Sequence, residues 1–407
     1  MPRPALTSST DYTPADPNAK FSMADLFAPA SEPKTELGRY RLLSPSAAIR
    51  VSPLCLGAMS LGDQWTPFMG GALNFEESCK FLDTFYEAGG NFIDTANNYQ
   101  NEQSEMIIGE WMEKRGIRDE IVLATSSGPV NSKYTTFCLD RKEGKFQGIG
   151  ANFVGNHKKS LRLSVEDSLK KLRTSYIDLL YVHWWDYSTS IPELMQSLND
   201  LVKSGKVLYL GISDTPAWIV SQANEYARHH GLAQFVVYQG LWNLGVRDLE
   251  RDVIPMARAN GMSIAPWGAL GQGKFKSPEE LKNKDKWRAG APPTEQDIKI
   301  SEALSEVAKE LAADVKPASI AMAWVRRTVT DCFPIIGGTN PEHLKANIEA
   351  LKITLTDKQM EKLNDAYKFD YGFPYNRFGR DPHYLPEGKP DNGLLTTAAH
   401  LKYTQLP

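Results

Sequence analysis

Two short stretches of the chain place proton-handling side chains where a fold could bring them together. In NFIDTANNY, residues 91–99, Asp94 and Tyr99 lie one loop apart, and in YVHWWD, residues 181–186, His183 precedes a pair of tryptophans. A carboxylate, a phenol and an imidazole converging on one space can hold and move a proton, which is the work of general acid–base catalysis. Each also has an ordinary structural role: a strand-end Asp caps the next helix, a loop Tyr packs, and a His beside Trp184 and Trp185 forms a hydrogen-bonded wall. Their co-occurrence at the ends of strands is what points to a site.

The elements that must position them follow a regular order. From Pro53 onward, short apolar runs alternate with amphipathic segments: PLCLGAMSLG then FEESCKFLDTFYEAGG, NFIDTA then SEMIIGEWMEKRG, EIVLATS then SLRLSVEDSLKKLRT, and YIDLLYVHWW then IPELMQSLNDLVKSG. VLYLGIS, FVVYQGLW, MSIAPWGAL and FPIIGG, each followed by a helical pattern, complete eight strand–helix units. The strands are nearly continuous apolar runs, as expected when both faces are buried. Eight such units favour a closed (β/α)8 barrel, a TIM barrel, over an open sheet. No GxGxxG follows the first strand, which argues against a dinucleotide-binding doubly wound domain. Strand ends and the loops after them gather at the C-terminal face of such a barrel, so Asp94, Tyr99 and His183 are expected to share one mouth. The over-long loops at residues 127–160 and 271–297 belong to the same face.

The expected organisation is a flexible N-terminal extension over residues 1–38, rich in Pro, Ser, Thr and Asp, a barrel over 39–367 and a tail over 368–407. Within the barrel segment, RYRLLSPSAAIRVSP reads as a small hairpin ahead of the first barrel strand, and LTDKQMEKLNDAY as a capped extra helix. The tail, aromatic and rich in Pro and Gly, either packs as a lid over the mouth, the favoured reading, or stays mobile.

The motifs CLGAMSLG, GGNFIDTANNYQ, SLRLSVEDSLKKLRTSYIDLLYVHWWD, GKVLYLGISDTPAW, YQGLWN, APWGALGQGKF and PIIGG…HLKANIEAL, in this order over residues 39–367, resemble the aldo-keto reductase superfamily. The likeness is to its fungal branch of aryl-alcohol dehydrogenase-like and norsolorinic acid reductase-like proteins. The resemblance implies hydride transfer between NADPH and a carbonyl, with Tyr99 protonating the developing alkoxide and His183 orienting the carbonyl. It places Ser213 and Asp214 at the nicotinamide carboxamide, and Gln239 and Trp267 flanking the ring. Lys274 falls at the pyrophosphate, the Gly337 and Gly338 amides at a phosphate, and Asn347 on the adenine side. No metal is implied, and Cys55, Cys79, Cys138 and Cys332 share no metal-ligand spacing.

Two departures bear on that chemistry. The family's lysine, which pairs with the Asp and eases ionisation of the Tyr, falls at Ser126. An opposite charge nearby shifts a pKa by roughly 1–3 units, so its loss weakens the acid by on the order of 10- to 1,000-fold. The basic residues that hold the 2′-phosphate of NADP in a pattern like GGRK fall at Thr339 and Asn340. NADP(H) is the cofactor by resemblance, with NAD(H) or no cofactor as the alternatives these losses open. Three readings follow: Lys133 folds back from the third loop to supply the charge; Tyr99 and His183 reduce an activated substrate unaided; or the mouth runs a cofactor-free lyase, isomerase or cyclase reaction on the same acid and base.

The mouth is expected to be aromatic, with Trp65, Phe68, Trp184, Trp185 and Trp242 as walls and Tyr371, Phe373 and Tyr375 added by the tail. Flat walls suit a small aromatic substrate of the polyketide type, in secondary metabolism. With 407 residues, 42% of them hydrophobic, the chain can bury a large core. Forty-six basic against 49 acidic residues give a net charge of −3, so neither a nucleic acid nor a membrane surface is an expected partner. No apolar run reaches the ~18 residues that span a bilayer. A cytoplasmic protein, monomer or homodimer, is the expectation.

Overall fold

A computed structural model describes residues 23–66, 73–127, 149, 151–283, 292–312, 314–385 and 388–404. Eight parallel strands follow one another around a barrel: β3 (Cys55–Gly57), β4 (Phe92–Ala96), β5 (Val122–Ser127), β6 (Ile177–Val182), β7 (Val207–Ser213), β8 (Phe235–Leu241), β9 (Ser263–Trp267) and β10 (Ile335–Ile336). β10 pairs with β3, and the ring closes through Ile264, which exchanges backbone bonds with Asp331 and Phe333. The eight-unit (β/α)8 reading of the sequence is therefore the observed architecture.

The hairpin ahead of the barrel is present as β1 (Arg41–Ser44) and β2 (Ala47–Val51), paired antiparallel. Leu43, Ala47 and Val51 are buried with Phe92, Val122 and Phe333 and so plug the N-terminal end of the barrel. Within the span expected as an extension, Thr35 donates its hydroxyl to the Ala88 carbonyl at 2.7 Å and Leu37 is fully buried.

The flanking helices are α1 (Phe75–Glu87), α2 (Gln103–Arg115), α3 (Lys158–Lys171), α4 (Ile191–Lys203), α5 (Ala217–His230), α6 (Val253–Ala259), α7 (Glu295–Leu311), α8 (Pro317–Thr328), α9 (Pro341–Glu349) and α10 (Asp357–Asp365). Their starts are written in the sequence. Asn74 with Glu77, Thr294 with Asp297 and Thr356 with Gln359 form reciprocal capping boxes.

Strand alternation separates two buried layers. Ile93, Leu123, Leu180, Val182, Ile212, Tyr238 and Ile264 face the helices. Phe92, Val122, Ala124, Leu179, Tyr181, Val237 and Ala265 fill the barrel. Side chains two apart on a strand share a face, so polar residues that continue the inner series past the packed layers open at the C-terminal end.

The tail makes its contacts with the segment that follows β8. Tyr371 donates its hydroxyl to Glu250 at 2.9 Å, Arg251 donates to the Asp370 carbonyl at 2.7 Å, Tyr375 donates to Asp252 at 2.9 Å, and Arg258 lies 3.9 Å over the Tyr384 ring. Three of these partners lie between β8 and α6 and the fourth, Arg258, is on α6, and Phe373 is left 77% exposed. Among the described residues its polar and ring contacts reach neither Tyr99 nor His183. The half-buried Arg247–Glu250 pair, 2.7 Å apart, offers the Tyr371 hydroxyl a charged partner.

Candidate active site

The inner series delivers the polar groups. Asp94 continues Phe92 on β4, Ser126 continues Val122 and Ala124 on β5, and His183 continues Leu179 and Tyr181 just beyond β6. Ser213 and Trp267 end β7 and β9, and Gln239 lies near the end of β8, on the same parity. All six side chains thus arrive at one end of one barrel. Gly211 is needed for this layer: a Cβ there would lie 2.4 Å from the Tyr181 ring, which fills the space above the inner core.

Asp94 is buried, and its carboxylate accepts the Gln239 side-chain amide at 3.1 Å. Burial without a cation pushes its pKa up to about 7, with the Gln239 bond pulling the other way. Tyr181 was not singled out by sequence; its hydroxyl is raised by burial and by the nearby Asp94 carboxylate. It reads as an apolar strand residue until the barrel is closed, which is why pattern reading passes over it. Ser126 is buried, and its hydroxyl finds no partner among the described residues.

Tyr99 stands in the loop after β4. Its ring meets the edge of Trp65 at 6.1 Å between centroids and that of His183 at 6.0 Å. Burial first, then the Asp94 and Asp214 carboxylates, push the Tyr99 hydroxyl well above its ordinary range. Burial lowers His183 to about 4, so its imidazole is neutral at pH 7. The site therefore presents a protonated phenol beside a neutral imidazole.

The backbone after Tyr99 is unusual. Gln100, Asn101 and Glu102 adopt φ of 52°, 51° and 82°, a left-handed run that costs roughly 1–3 kcal/mol per residue. Surrounding bonds hold it. Gln100 donates to the Met59 carbonyl at 2.8 Å and accepts the Trp65 amide at 2.7 Å, while Asn101 accepts the Trp65 indole N–H at 2.9 Å. Beneath the loop, Lys171 donates to the Asn97 carbonyl at 3.1 Å and pairs with Glu105 at 2.8 Å, both charged side chains buried. Thr125 ties Glu105 to β5 at 2.7 Å. Lys171 and Glu105 were missed in the sequence; the signal was an acidic residue on the apolar face of α2.

The expected aromatic walls divide. Trp65 borders Tyr99, and Trp184 lies 4.8 Å from the His183 ring. Trp185 packs against the helix-facing core. Trp242 is fully buried, its ring 5.3 Å from Trp324 and its indole N–H bound to Glu250 at 3.1 Å, so it is core and not a substrate wall. Its position is one past the inward Leu241, on the face that turns toward the helices. Phe68 and Lys133 lie outside the described residues.

The groups expected around a nicotinamide nucleotide are spread over the same face. Ser213 is buried with an unpartnered hydroxyl among the described residues, the kind of group a carboxamide would satisfy. Asp214 holds φ 42° and accepts the Trp267 indole N–H at 3.3 Å, bringing the ends of β7 and β9 together. The nicotinamide end thus fits the group. Lys274, expected at the pyrophosphate, donates to Asp297 at 3.1 Å. A Cβ at Gly337 would fit tightly, 3.0 Å from the Gly57 carbonyl oxygen, and the Gly338 carbonyl accepts the Ser60 hydroxyl at 3.0 Å. Asn340 caps α9 by accepting the Glu342 amide at 2.9 Å, and Lys345 is paired with Glu342 at 2.8 Å. Asn347 is buried on α9. A 2′-phosphate beside Thr339 and Asn340 would meet the cap of α9.

The model of the aldo/keto reductase family matches residues 53–368. The chain is 49% identical over 369 residues to the NADP(+) aryl-alcohol dehydrogenase of Phanerodontia chrysosporium, covering 88% of this chain and 94% of that protein. It is 51% identical over 347 residues to norsolorinic acid reductase A of Aspergillus parasiticus, covering 85% and 86%. With aldo-keto reductase ausK of Emericella nidulans it shares 51% over 364 residues, covering 88% and 89%. A closed eight-unit barrel with Asp94, Tyr99 and His183 at its mouth, matched over most of its length by these oxidoreductases, makes this chain a member of the aldo/keto reductase family and an enzyme of that type.

Proposed function

We propose that the enzyme is a nicotinamide-dependent reductase, or the reverse dehydrogenase, for an aromatic aldehyde, ketone or alcohol of the polyketide type. The observation that carries this reading is the edge-on meeting of Tyr99 and His183 at 6.0 Å above the Asp94–Gln239 pair. Relatives named as aryl-alcohol dehydrogenase and norsolorinic acid reductase support the aromatic class, as do the flat faces of Trp65 and Trp184. A bound nicotinamide would supply or take up the hydride. Tyr99 donates its proton toward the substrate oxygen, and the neutral imidazole of His183 orients that oxygen. Ser213, Asp214, Gln239 and Trp267 are the residues that would hold the nicotinamide ring.

Ser126 makes the acid weak. No ammonium shares the space with Tyr99 and Asp94 among the described residues, so proton delivery depends on a phenol whose pKa is raised rather than lowered. Slow turnover of an activated carbonyl follows. Without the family's basic pair at Thr339 and Asn340, the enzyme discriminates poorly between NADPH and NADH.

Titration of intrinsic fluorescence with each nucleotide, followed by loss of nucleotide absorbance on adding 2-naphthaldehyde, tests the reading. Binding of either nucleotide with turnover of the aldehyde supports it. Absence of any nucleotide binding by folded protein would leave the second reading, a lyase, isomerase or cyclase using Tyr99 and His183 as acid and base. The uncompensated Asp94 carboxyl and the replaced basic pair are what favour that alternative.

A further inference from the structure

The loop after β6 carries His183 and Trp184, and it is organised around a single carboxylate that the proton chemistry does not use. Asp186 Oδ1 accepts the backbone amides of Ser188 at 3.1 Å and Thr189 at 3.0 Å. Its Oδ2 accepts the Ser188 hydroxyl at 2.9 Å, the Thr189 hydroxyl at 2.8 Å and the backbone amide of Asn156 at 2.8 Å. The last of these comes from a different segment, the stretch that leads into α3. Asn156 is itself buried, and its side-chain amide returns to the same loop by donating to the Trp184 carbonyl at 2.9 Å.

The geometry around this carboxylate is closely fitted. Gly155 has φ 105°, a conformation that favours glycine, and a Cβ there would stand 3.1 Å from Asp186 Oδ2. Tyr187 is held at φ 57°, a conformation a bulky residue seldom adopts. Burial acts against the charge of Asp186, but the Asn156 and Thr189 amides and the two hydroxyls outweigh it and hold the carboxyl below the ordinary range. The tie is therefore ionised and intact throughout the neutral range.

We propose that Asp186 is a positioning residue for the aromatic substrate: through Asn156 it fixes the Trp184 carbonyl, and with it the Trp184 ring that stands 4.8 Å from His183. Its role in catalysis rests on the reductase reading; its role in aromatic binding does not. Asp186 sets the wall against which a flat ring lies, while Tyr99 and His183 do the chemistry. Substrate affinity should therefore depend on Asp186 far more than nucleotide affinity does. The Asn156 side chain should share that effect, because both act through one chain of bonds.

The test uses the full chain and 2-naphthaldehyde as probe, with its dissociation constant read from tryptophan quenching and each nucleotide titrated separately. Asp186→Asn leaves one oxygen for donors that now use two, and binding of the probe is expected to weaken about tenfold. Nucleotide affinity should stay unchanged, KM should rise more than kcat falls, and adding Asn156→Ala should cost little more. Unchanged probe affinity in Asp186→Asn, fully additive effects of the two substitutions, or no saturable quenching in the wild type would overturn the proposal. If Asp186→Asn does not fold, Asn156→Ala alone decides, weaker probe binding supporting the proposal and wild-type affinity overturning it. Saturable probe binding without turnover refutes the reductase reading while the positioning role is still read from the dissociation constants.

Discussion

Gln239 reaches across the barrel mouth from β8 to donate its amide to the Asp94 carboxylate at 3.1 Å. An amide satisfies an oxygen but supplies no charge. The carboxyl is consequently pushed up to about 7, and every expectation about the chemistry starts from that displaced proton.

The first consequence is a pH dependence of stability with a definite sign. The folded-state pKa of Asp94 lies above its unfolded value of 3.8, so the proton-bound form favours folding. That contribution is complete below pH 3.8, declines as pH rises toward 7 and is absent above it. Asp94→Asn removes the penalty of burying the charge, so it should gain roughly 2–4 kcal/mol over the wild type above pH 7 and almost nothing at pH 4. Urea denaturation at both pH values measures the difference. His183, lowered to about 4, runs the other way, losing stability as pH falls from 6.5 toward 4.

Restoring the cation should restore the acid. In Ser126→Lys the ammonium enters beside Asp94 and returns its carboxyl to the ordinary carboxylate range. The Tyr99 phenol should fall by roughly 1–3 units, with reduction of an aryl aldehyde rising by on the order of 10- to 1,000-fold. The wild-type rate should decline above pH 7 as Asp94 ionises next to Tyr99. In the lysine variant that inflection should vanish, which a pH–rate profile records.

Cofactor choice is expected to follow Thr339. Asn340 is occupied in capping α9, whereas Thr339 is exposed and its replacement leaves the cap intact. Thr339→Lys should tighten NADPH about tenfold or more without affecting NADH, since one charge-assisted contact to phosphate is worth roughly 1.5–3 kcal/mol. Parallel fluorescence titrations give the ratio.

Lys171 underlies the strained loop that carries Tyr99. Lys171→Met leaves the buried Glu105 carboxylate unpaired and should cost roughly 3–5 kcal/mol in urea denaturation. Combining it with Glu105→Gln should recover much of the stability but not the rate, because the bond from Lys171 to the Asn97 carbonyl is still lost.

The barrel and the placement of Asp94, Ser126, His183, Ser213 and Gln239 were legible because strand alternation and eight repeats leave little freedom. The same alternation, applied one residue further, would have sent Trp242 into the helix-facing layer; its type, not its parity, suggested a wall. The path of the tail was not legible. It depends on Tyr371 and Tyr375 finding Glu250 and Asp252 more than a hundred residues earlier, partners that composition does not reveal. The buried Lys171–Glu105 pair escaped for the same reason, since it joins α3 to α2 across a packed interface. Of the five bonds to Asp186, the one from Asn156 likewise depends on a residue returning from the previous loop.

Single-turnover absorbance of bound NADPH or NADH mixed with 2-naphthaldehyde, in the wild type, Ser126→Lys and Tyr99→Phe, tests the central claim most directly. The expected result is slow oxidation of the nucleotide by the wild type, a faster reaction with the lysine, and none with phenylalanine. A folded wild type that oxidises neither nucleotide, or a Tyr99→Phe variant as fast as its parent, would contradict the account.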